Sequence, residues 1–344
     1  MHLTTARPGM TVAGTSVALP RRRQRAIEVV GTSLSVEDAE RAGAENLPVA
    51  GACAGPELAV QAGRDALRVA DMDPLSVSVL AHAWLYHQGH DFWSPAHYVA
   101  HEVGALRCVP FGIQQMSNGG AMGIDLALRT LSAGGAGSAA LVTTGDRFGL
   151  PGFDRWRSDY DVAYGDGGTA VVLRKGSPRA GELEVLGMAT TAMPELEVMY
   201  RAGDAFSDAP LSHASPIDVR RPKRAWLASG GGADLAEKGP RTVEEVLRCA
   251  LQCAGLTPGD ASIRRIAVPR IGSRTIEQMY LPPVRRVLGV DVMQLGQHTG
   301  HLGAGDFLAN ASDFATDGLD AGEVGLVIGG GGGFTLSCLV LRRR

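Results

Sequence analysis

Apolar residues recur along the chain at two alternating spacings, which predict helices and strands in turn. The segment PELAVQAGRDALRVADMDP has the three- and four-residue spacing of an amphipathic helix and ends at Pro74. The segment VSVLAHAW that follows is rich in β-branched residues and typical of a strand. A helix that begins near Ser117 is followed by the glycine-rich turn SAGGAGS and the strand AALVTTGD. Helical and strand signals therefore alternate throughout, as in an α/β protein.

Two glycine-rich segments carry further strand signals. The segment VAYGDGGTAVVLRKG is predicted to form two strands joined by a Gly-Asp-Gly-Gly turn. The C-terminal segment GLVIGGGGGFTLSCLVL predicts a strand, five consecutive glycines and a second strand. Such a run lets the backbone approach a ligand and point an amide at it, although plain flexible loops also contain such runs.

The second half of the chain repeats the pattern of the first at a fixed offset of 184 positions. This shift places Pro74 on Pro258 and residues 142–146 on residues 326–330, so that two apolar strands coincide. A repeat of this kind indicates an internal duplication.

We assign the two related halves to residues 1–176 and 177–344. The same offset places Ser117 of the first half on His301 of the second. If a pseudo-two-fold axis relates the halves, equivalent helices lie side by side and their N-termini point to a common site. Ser117 and His301 are then predicted to meet there.

Two interpretations of Ser117 follow from its place at the start of a helix. Its hydroxyl can cap the helix by accepting a hydrogen bond from a free backbone amide. Alternatively, it is a nucleophile placed where those amides and the helix dipole would stabilise an oxyanion.

A histidine and a carboxylate complete a possible catalytic set. His301 opens a helical pattern with Asp306 five residues on, near enough for the carboxylate to approach the imidazole. Ser117, His301 and Asp306 have the residue types of a hydroxyl nucleophile, its base and the acid that orients the base. A capping serine beside a structural histidine is the simpler alternative.

Composition excludes several classes of protein. The chain has 344 residues, 45% of them hydrophobic, and a net charge of −3, without a basic stripe of the kind that binds nucleic acid. The N-terminus lacks the apolar core of a signal peptide, and no apolar run reaches the length of a membrane span. We therefore expect a cytoplasmic protein with neither nucleic acid nor membrane as partner.

No cofactor or metal is expected. Five dispersed cysteines predict free, buried thiols, and neither a phosphate-binding loop nor a dinucleotide fingerprint is present. Histidines and tryptophans concentrate in the segment HAWLYHQGHDFWSPAH. Their irregular spacing favours an aromatic substrate wall or a dimer contact over a metal site, which makes Trp93 a candidate binding residue.

These features together resemble the β-ketoacyl-acyl carrier protein synthase III family of the thiolase fold. The resemblance runs from VAGTSVALP through the Ser117 helix and YGDGGTAVVL to GGGGGFTLSCLVL. It implies a thiolase-like duplicated fold with five αβαβα layers, and a homodimer.

The departures from that family are informative. Ser117 stands where condensing members carry cysteine, Arg270 where they carry histidine after an apolar-Pro pair, and His301 where they carry asparagine. The family's histidine and asparagine hold the thioester carbonyl during decarboxylation, so their loss argues against condensation. The chain looks like the synthase III-like acyltransferases of bacterial secondary metabolism, some of which use serine.

We hypothesise acyl transfer through an acyl-serine to a carrier-protein thiol or a small-molecule hydroxyl, with the amides of Ser117 and Gly332 as oxyanion donors and Arg270 as a binding residue. The donor is expected to be an acyl carrier protein, with acyl-CoA possible, because GAENLPVAGA lacks the arginines that family members present to coenzyme A. Arg147, Arg155 and Arg157 are candidates to meet an acidic carrier protein. A decarboxylative ketosynthase and a catalytically silent carrier-binding partner are the alternatives.

Overall fold

The computed structural model describes residues 3–135 and 137–344. The strands of this part of the chain are β1 Leu3–Ala18, β2 Arg23–Arg25, β3 Asn46–Pro48, β4 Val77–Ala83, β5 Val109–Ile113, β6 Ala139–Asp146, β7 Gly167–Lys175, β8 Leu183–Ala192, β9 Ile263–Ala267, β10 Asp291–Met293, β11 Val324–Gly331 and β12 Thr335–Arg343. The α-helices are α1 Ala26–Val29, α2 Val36–Ala42, α3 Gly55–Val69, α4 Pro95–Val103, α5 Gly119–Ala133, α6 Val198–Arg201, α7 Arg220–Ala228, α8 Gly231–Ala254, α9 Ser273–Thr275, α10 Leu281–Val287 and α11 Asp306–Asp313. Short 3₁₀ or π turns cover Pro74–Ser76, Pro194–Glu197, Ile276–Tyr280, Gly303–Gly305 and Phe314–Gly318.

The strand order repeats the same arrangement twice. Ten strands pair in the order β10-β9-β11-β12-β8-β1-β7-β6-β4-β5, so that each series runs outward from the central pair β1 and β8. In the first series β4 is parallel to β5 and β6, whereas β7 is antiparallel to β6 and β1. In the second series β9, β10, β11 and β12 reproduce these directions. The sheet is therefore mixed, and its topology is duplicated.

The offset of 184 positions holds only for part of each half. It carries α3 onto the second part of α8, β4 onto β9, α5 onto the turn and helix at residues 303–313, and β6 onto β11. It fails at β7 because residues 147–166 connect β6 to β7, whereas only residues 332–334 connect β11 to β12. The boundary predicted between residues 176 and 177 lies in the connection from β7 to β8.

Two central helices separate the two series of strands. Ile124 and Leu128 of α5 and Phe307 and Leu308 of α11 share one buried cluster with apolar residues from strands of both series. Helices α3 and α4 cover the outer side of the first series, and α8 and α10 cover that of the second. The order of layers is thus helix, strand, helix, strand, helix, as the resemblance implied. Burial of each large apolar side chain in these layers contributes about 1.5–3 kcal/mol.

Two expectations about glycine-rich segments are corrected. Residues 162–166 form no strand beyond one isolated bridge at Tyr164, so the predicted first strand of VAYGDGGTAVVLRKG is wrong. The carboxylate of Asp166 accepts hydrogen bonds from the amides of Ala50 and Phe148 and pairs with Arg155, which holds this segment as a loop. The first three of the five consecutive glycines belong to β11, so the C-terminal run is only partly a loop.

The described cysteines are all free, but only Cys338 is fully buried. Within residues 3–135 and 137–344, no helix combines the length and the apolar character needed to cross a bilayer.

The starts of the two central helices lie in close contact. A Cβ on Gly120 would lie 2.6 Å from the carbonyl oxygen of Ala304 and 2.7 Å from the side chain of Leu308. A Cβ on Gly119 would lie 3.0 Å from Ala83 and 3.4 Å from Ala304. Only glycine permits this approach, which brings the segments before α5 and α11 to one place.

We predict that Gly120→Ala lowers the free energy of unfolding by about 2 kcal/mol, because the added methyl group meets backbone that cannot move without separating the two helices. Chemical denaturation checks this. Gly203→Ala is the matched control, since no atom lies within 4 Å of its Cβ position, and we expect a change of at most about 0.5 kcal/mol there. Equal effects at the two glycines would contradict the tight contact.

Candidate active site

Ser117 lies in the turn between β5 and α5, next to a residue with an uncommon backbone conformation. Met116 has a φ of 49°, in the left-handed region that non-glycine residues rarely adopt. The N-cap residue of α5 is Asn118, and no side chain caps this helix. The interpretation of Ser117 as a helix cap is therefore wrong. Its Oγ lies 2.6 Å from Nε2 of His301 instead.

His301 is fixed by backbone pairing on the other side of the site. Its amide donates to the carbonyl of Ala163 over 2.8 Å, and its own carbonyl accepts from the amide of Gly165 over 3.0 Å. The ring of Tyr164 packs against the imidazole with their centres 5.2 Å apart. The residue is 3% exposed, so the position of its ring is set by the protein rather than by solvent.

Asp306 sets the orientation of the imidazole. One carboxylate oxygen, Oδ2, accepts from Nδ1 of His301 over 2.6 Å and from the amide of Arg270 over 2.8 Å. The other, Oδ1, accepts from the amide of Leu302 over 2.8 Å. An ionised carboxylate can only accept, so it selects the tautomer with a proton on Nδ1, and Nε2 is left to accept the proton of Ser117.

Electrostatic coupling between His301 and Asp306 shifts the pKa of both side chains. Burial acts to lower the pKa of His301, but the charge and the hydrogen bond of Asp306, followed by the charges of Asp146 and Asp159, outweigh it, and the pKa is raised. Burial acts to raise the pKa of Asp306, but the charge and hydrogen bond of His301, followed by the charge of Arg270 and the amide of Leu302, leave the pKa lowered. Asp306 therefore stays ionised, and His301 is a stronger base than an ordinary histidine.

A second buried carboxylate lies beside the pair and was missed by sequence reasoning. Asp146, at the end of β6, accepts from the amides of Leu85, Tyr86 and Ala304 at 2.8–3.0 Å. Burial raises its pKa to about 7, against the effect of these amides and of the His301 charge. It ties the turn before α11 to the turn after β4. Its place at the end of an apolar strand was the available signal.

The glycine hairpin between β11 and β12 touches the turn that holds Ser117. A Cβ on Gly331 would lie 2.6 Å from the amide nitrogen of Asn118 and 2.8 Å from the carbonyl oxygen of Gln115. Gly332, the expected oxyanion donor, is the next residue, and a Cβ there would lie 2.5 Å from the ring of Tyr200. The hairpin thus passes directly beside the nucleophile turn, with Gly332 at its tip.

Arg270 does not occupy the binding position expected from the sequence. Its side chain is buried behind Asp306, and its guanidinium donates to Asn310, Thr299 and Asp313. Because Nε and both Nη atoms already donate to protein groups, the side chain supports the second half of the site and does not face a substrate.

Trp93 also lies apart from Ser117. It borders a cavity of about 330 Å³ that is formed with Trp84, His90, Phe92 and their neighbours, and neither Ser117 nor His301 belongs to its walls. The role of Trp93 as a binding residue stays a prediction.

The histidines near Trp93 differ in environment. His82 is buried between Thr143 and Gln88, and burial lowers its pKa to about 4, whereas His87 lies at the surface. Among the described residues, no three histidine, cysteine or carboxylate side chains are grouped to hold a metal ion.

We predict that Asp306→Asn lowers the free energy of unfolding by about 3 kcal/mol at pH 5, because it leaves a buried imidazole that cannot be charged favourably. The lowered pKa of Asp306 contributes stability above its ordinary value of 3.8, and the raised pKa of His301 contributes below 6.5. The loss should thus be largest between these values and should shrink as the pH rises through the raised pKa of His301. Denaturation across pH checks this, with exposed Asp208→Asn as control. A loss that grows with pH would contradict the coupling.

Comparisons with known proteins agree with this architecture. No family model matches the chain, and no curated protein matches it. The chain is 28% identical to a solved structure described as the acyltransferase ChlB3, with a TM-score of 0.85 and 98% of each chain covered. It is 23% identical to the 3-oxoacyl-[acyl-carrier-protein] synthase III of Aquifex aeolicus VF5, with a TM-score of 0.76 over 97% of this chain and 100% of that one.

The priming β-ketosynthase of the R1128 polyketide biosynthetic pathway is 20% identical, with a TM-score of 0.71 and 98% of each chain covered. The likenesses below 25% identity show the fold, and the likeness to ChlB3 extends over the same length. The duplicated mixed sheet with two central helices is the arrangement they share, so the expected thiolase-like fold is confirmed. The chain therefore has the thiolase-like fold of these solved structures.

Proposed function

We propose that the protein is an acyltransferase that moves an acyl group from a carrier-protein or coenzyme A thioester, through an ester on Ser117, to a thiol or hydroxyl acceptor. The observation that carries the proposal is the continuous hydrogen-bonded set of Ser117, His301 and Asp306, with both links at 2.6 Å. A hydroxyl, an oriented base and a buried acid in this order form the general solution for activating serine. Similarity to the acyltransferase ChlB3 supports the same class of reaction.

In the first half-reaction the Ser117 oxygen attacks the carbonyl carbon of the thioester, and its proton passes to Nε2 of His301. The charge that develops on the carbonyl oxygen would be held by the amides of Ser117 and Gly332, aided by the positive N-terminal end of α5. The carbon–sulfur bond then breaks, and the leaving sulfur takes the proton from His301. The products are a free thiol and an acyl-serine ester.

In the second half-reaction the acceptor thiol or hydroxyl gives its proton to His301 and attacks the ester carbonyl. The bond to the Ser117 oxygen breaks, and that oxygen recovers the proton from His301. An oxygen ester is less activated than a thioester, so this step depends strongly on a base kept strong by Asp306.

Two alternatives are weaker. A decarboxylative ketosynthase needs two donors on the thioester carbonyl of the extender unit, but here His301 is bonded to Ser117 and Asp306, and the Arg270 side chain points to Asn310, Thr299 and Asp313. A catalytically silent carrier-binding partner would have no use for a buried base held in the tautomer that accepts the serine proton.

The proposed partners are an acyl carrier protein and a second copy of the chain. Of the three arginines suggested for an acidic carrier protein, Arg157 is exposed and Arg147 makes one long bond to the carbonyl of Ala52. Arg155 is largely buried and paired with Asp166, so it is removed from this surface. Phosphopantetheine would arrive on the substrate, and we propose no resident cofactor.

We predict that incubation with acyl thioesters adds the mass of the acyl group to the protein, and that Ser117→Ala abolishes this adduct. Ser138→Ala, at a half-buried serine outside the site, is the matched control and should be acylated like the wild type. With a malonyl donor the adduct should retain its carboxyl group, as measured by intact-protein mass spectrometry. Loss of carbon dioxide from that adduct would favour the ketosynthase, and absence of both adduct and thiol release with every donor would favour the silent partner.

We predict that the rate of acylation rises with pH and follows an apparent pKa above 6.5, because the base must be neutral and Asp306 raises the pKa of His301. Asp306→Asn should reduce kcat/KM by about 10³–10⁴-fold and should move the apparent pKa downward, since the largest charge that opposes the effect of burial on His301 is then removed. The measurement is the release of free thiol as a function of pH. An unchanged apparent pKa in Asp306→Asn would show that His301 is not the base.

A further inference from the structure

A cluster of polar side chains lies beside the site and is not used by the proposed transfer. Asp159 accepts from the hydroxyl of Tyr164 over 2.9 Å and from the ammonium of Lys223. Lys223 in turn lies over the ring of Tyr200, 4.8 Å from its centre. The side chains of Lys223 and Asp159 are 11% and 5% exposed, so this ion pair is largely removed from water. Buried charges of this kind are costly unless the protein requires them.

This cluster is joined to the nucleophile at both ends. The Tyr164 ring packs on His301, and the Tyr200 ring packs on Gly332 at the tip of the glycine hairpin. Pairwise contacts therefore connect the cluster and the nucleophile turn into a closed ring of residues, which we call the circuit. In order, its members are Ser117, His301, Tyr164, Asp159, Lys223, Tyr200, Gly332, Gly331 and Asn118. The Lys223 and Tyr200 pair is therefore connected to Ser117 both through His301 and through the glycine hairpin.

The cluster has donors to spare. An ammonium has three N–H groups, of which Lys223 directs one to Asp159 and another to the hydroxyl of Tyr200. Burial raises the pKa of Tyr200 against the opposing charge of Lys223, so its hydroxyl keeps its proton. A second hydroxyl belongs to Tyr280. This residue is 3% exposed, and its hydroxyl makes no hydrogen bond to any described residue. It lies beside Gly330 of the same hairpin, where a Cβ would be 2.7 Å from the hydroxyl oxygen.

There is also space next to Tyr200. It borders a cavity of about 300 Å³, and the other walls of this cavity come from residues 201–222. Neither Ser117 nor His301 belongs to its walls, so the connection of Tyr200 to the site depends on the donors of the cluster and on the contact of Tyr200 with Gly332. Surplus donors in a largely buried place favour a ligand that brings an acceptor, since an unpaired buried donor costs free energy.

We propose that Tyr200, with Lys223 behind it and Tyr280 beside it, determines specificity for acyl groups that carry a hydroxyl or keto oxygen beyond the thioester carbonyl. The ion pair with Asp159 makes the cluster close to neutral, which favours a neutral oxygen over a second carboxylate. A plain alkyl chain would leave the donors unpaired and would be disfavoured. This inference rests on the proposed function, because it takes Ser117 as the residue that receives the acyl group.

The test uses matched N-acetylcysteamine thioesters: 3-hydroxybutyryl against butyryl, and 2-hydroxybenzoyl against benzoyl. Thiol release by the wild type should show a kcat/KM about tenfold or more higher for at least one oxygen-bearing donor than for its partner. Tyr200→Phe keeps the ring on Gly332 and removes only the hydroxyl. It should abolish most of that preference by slowing the oxygen-bearing donor far more than the plain donor.

Further variants distinguish a change in substrate specificity from a general loss of activity or stability. Tyr280→Phe should reduce the preference in the same way without lowering Tm, since its hydroxyl has no protein partner to lose. Tyr98→Phe, on α4, is the matched control and should leave the preference intact. Equal slowing of both donors by Tyr200→Phe, or no preference in the wild type, would overturn the proposal.

A binding measurement keeps the inference distinct from the proposed transfer. Calorimetric titration of Ser117→Ala with the same four thioesters needs no chemistry at Ser117. Tighter binding of the oxygen-bearing member, lost on adding Tyr200→Phe, would support the specificity site even if the wild type formed no acyl-serine. Equal affinities within both pairs would overturn it even if acylation were observed.

Discussion

Where α5 and α11 begin, the carbonyl oxygen of Ala304 lies in the space that a side chain on Gly120 would fill. This contact between two helix starts decides where Ser117 and His301 can be, because each precedes its helix by only a few residues. Their side chains meet across the contact at 2.6 Å, although 184 positions separate them along the chain. The two outer helical layers and the two series of strands hold these helices in place by burial of apolar surface.

The contact also concentrates charge in a place that water does not reach. His301 lies near two buried carboxylates, and the two differ in what surrounds them. Asp306 bonds directly to the imidazole and stays ionised, whereas Asp146 is bonded only to backbone amides and has its pKa raised to about 7 by burial. Asp306 therefore has the larger effect on the basicity of His301, and Asp146 fixes the loop that carries it. The same residue type serves two purposes because the donors around it differ.

The strands and central helices of the core are duplicated, whereas the loops that connect them differ between the halves. These two facts have separate consequences for the site. The duplicated strands and central helices supply the nucleophile from one half and its base from the other. The connection at residues 147–166 has a counterpart of only three residues in the second half, and it carries Asp159 and Tyr164. These side chains, with Lys223 from α7, line the circuit around the site. In this fold, reactivity belongs to the repeated part, and selectivity is proposed to belong to the part that is not repeated.

The sequence by itself determined the local elements and the internal repeat. The strand over residues 139–146, the helix after Ser117 and the pairing of His301 with Asp306 all depend on residues close together in the chain, where periodicity and spacing are informative. Tertiary structure alone decided the rest. Arg270 was expected at the substrate, but distant groups on α11 and Thr299 take its guanidinium. Asp146, Tyr200 and Lys223 gained their places from contacts between segments far apart in sequence, and such contacts depend on how layers pack, which no local pattern encodes.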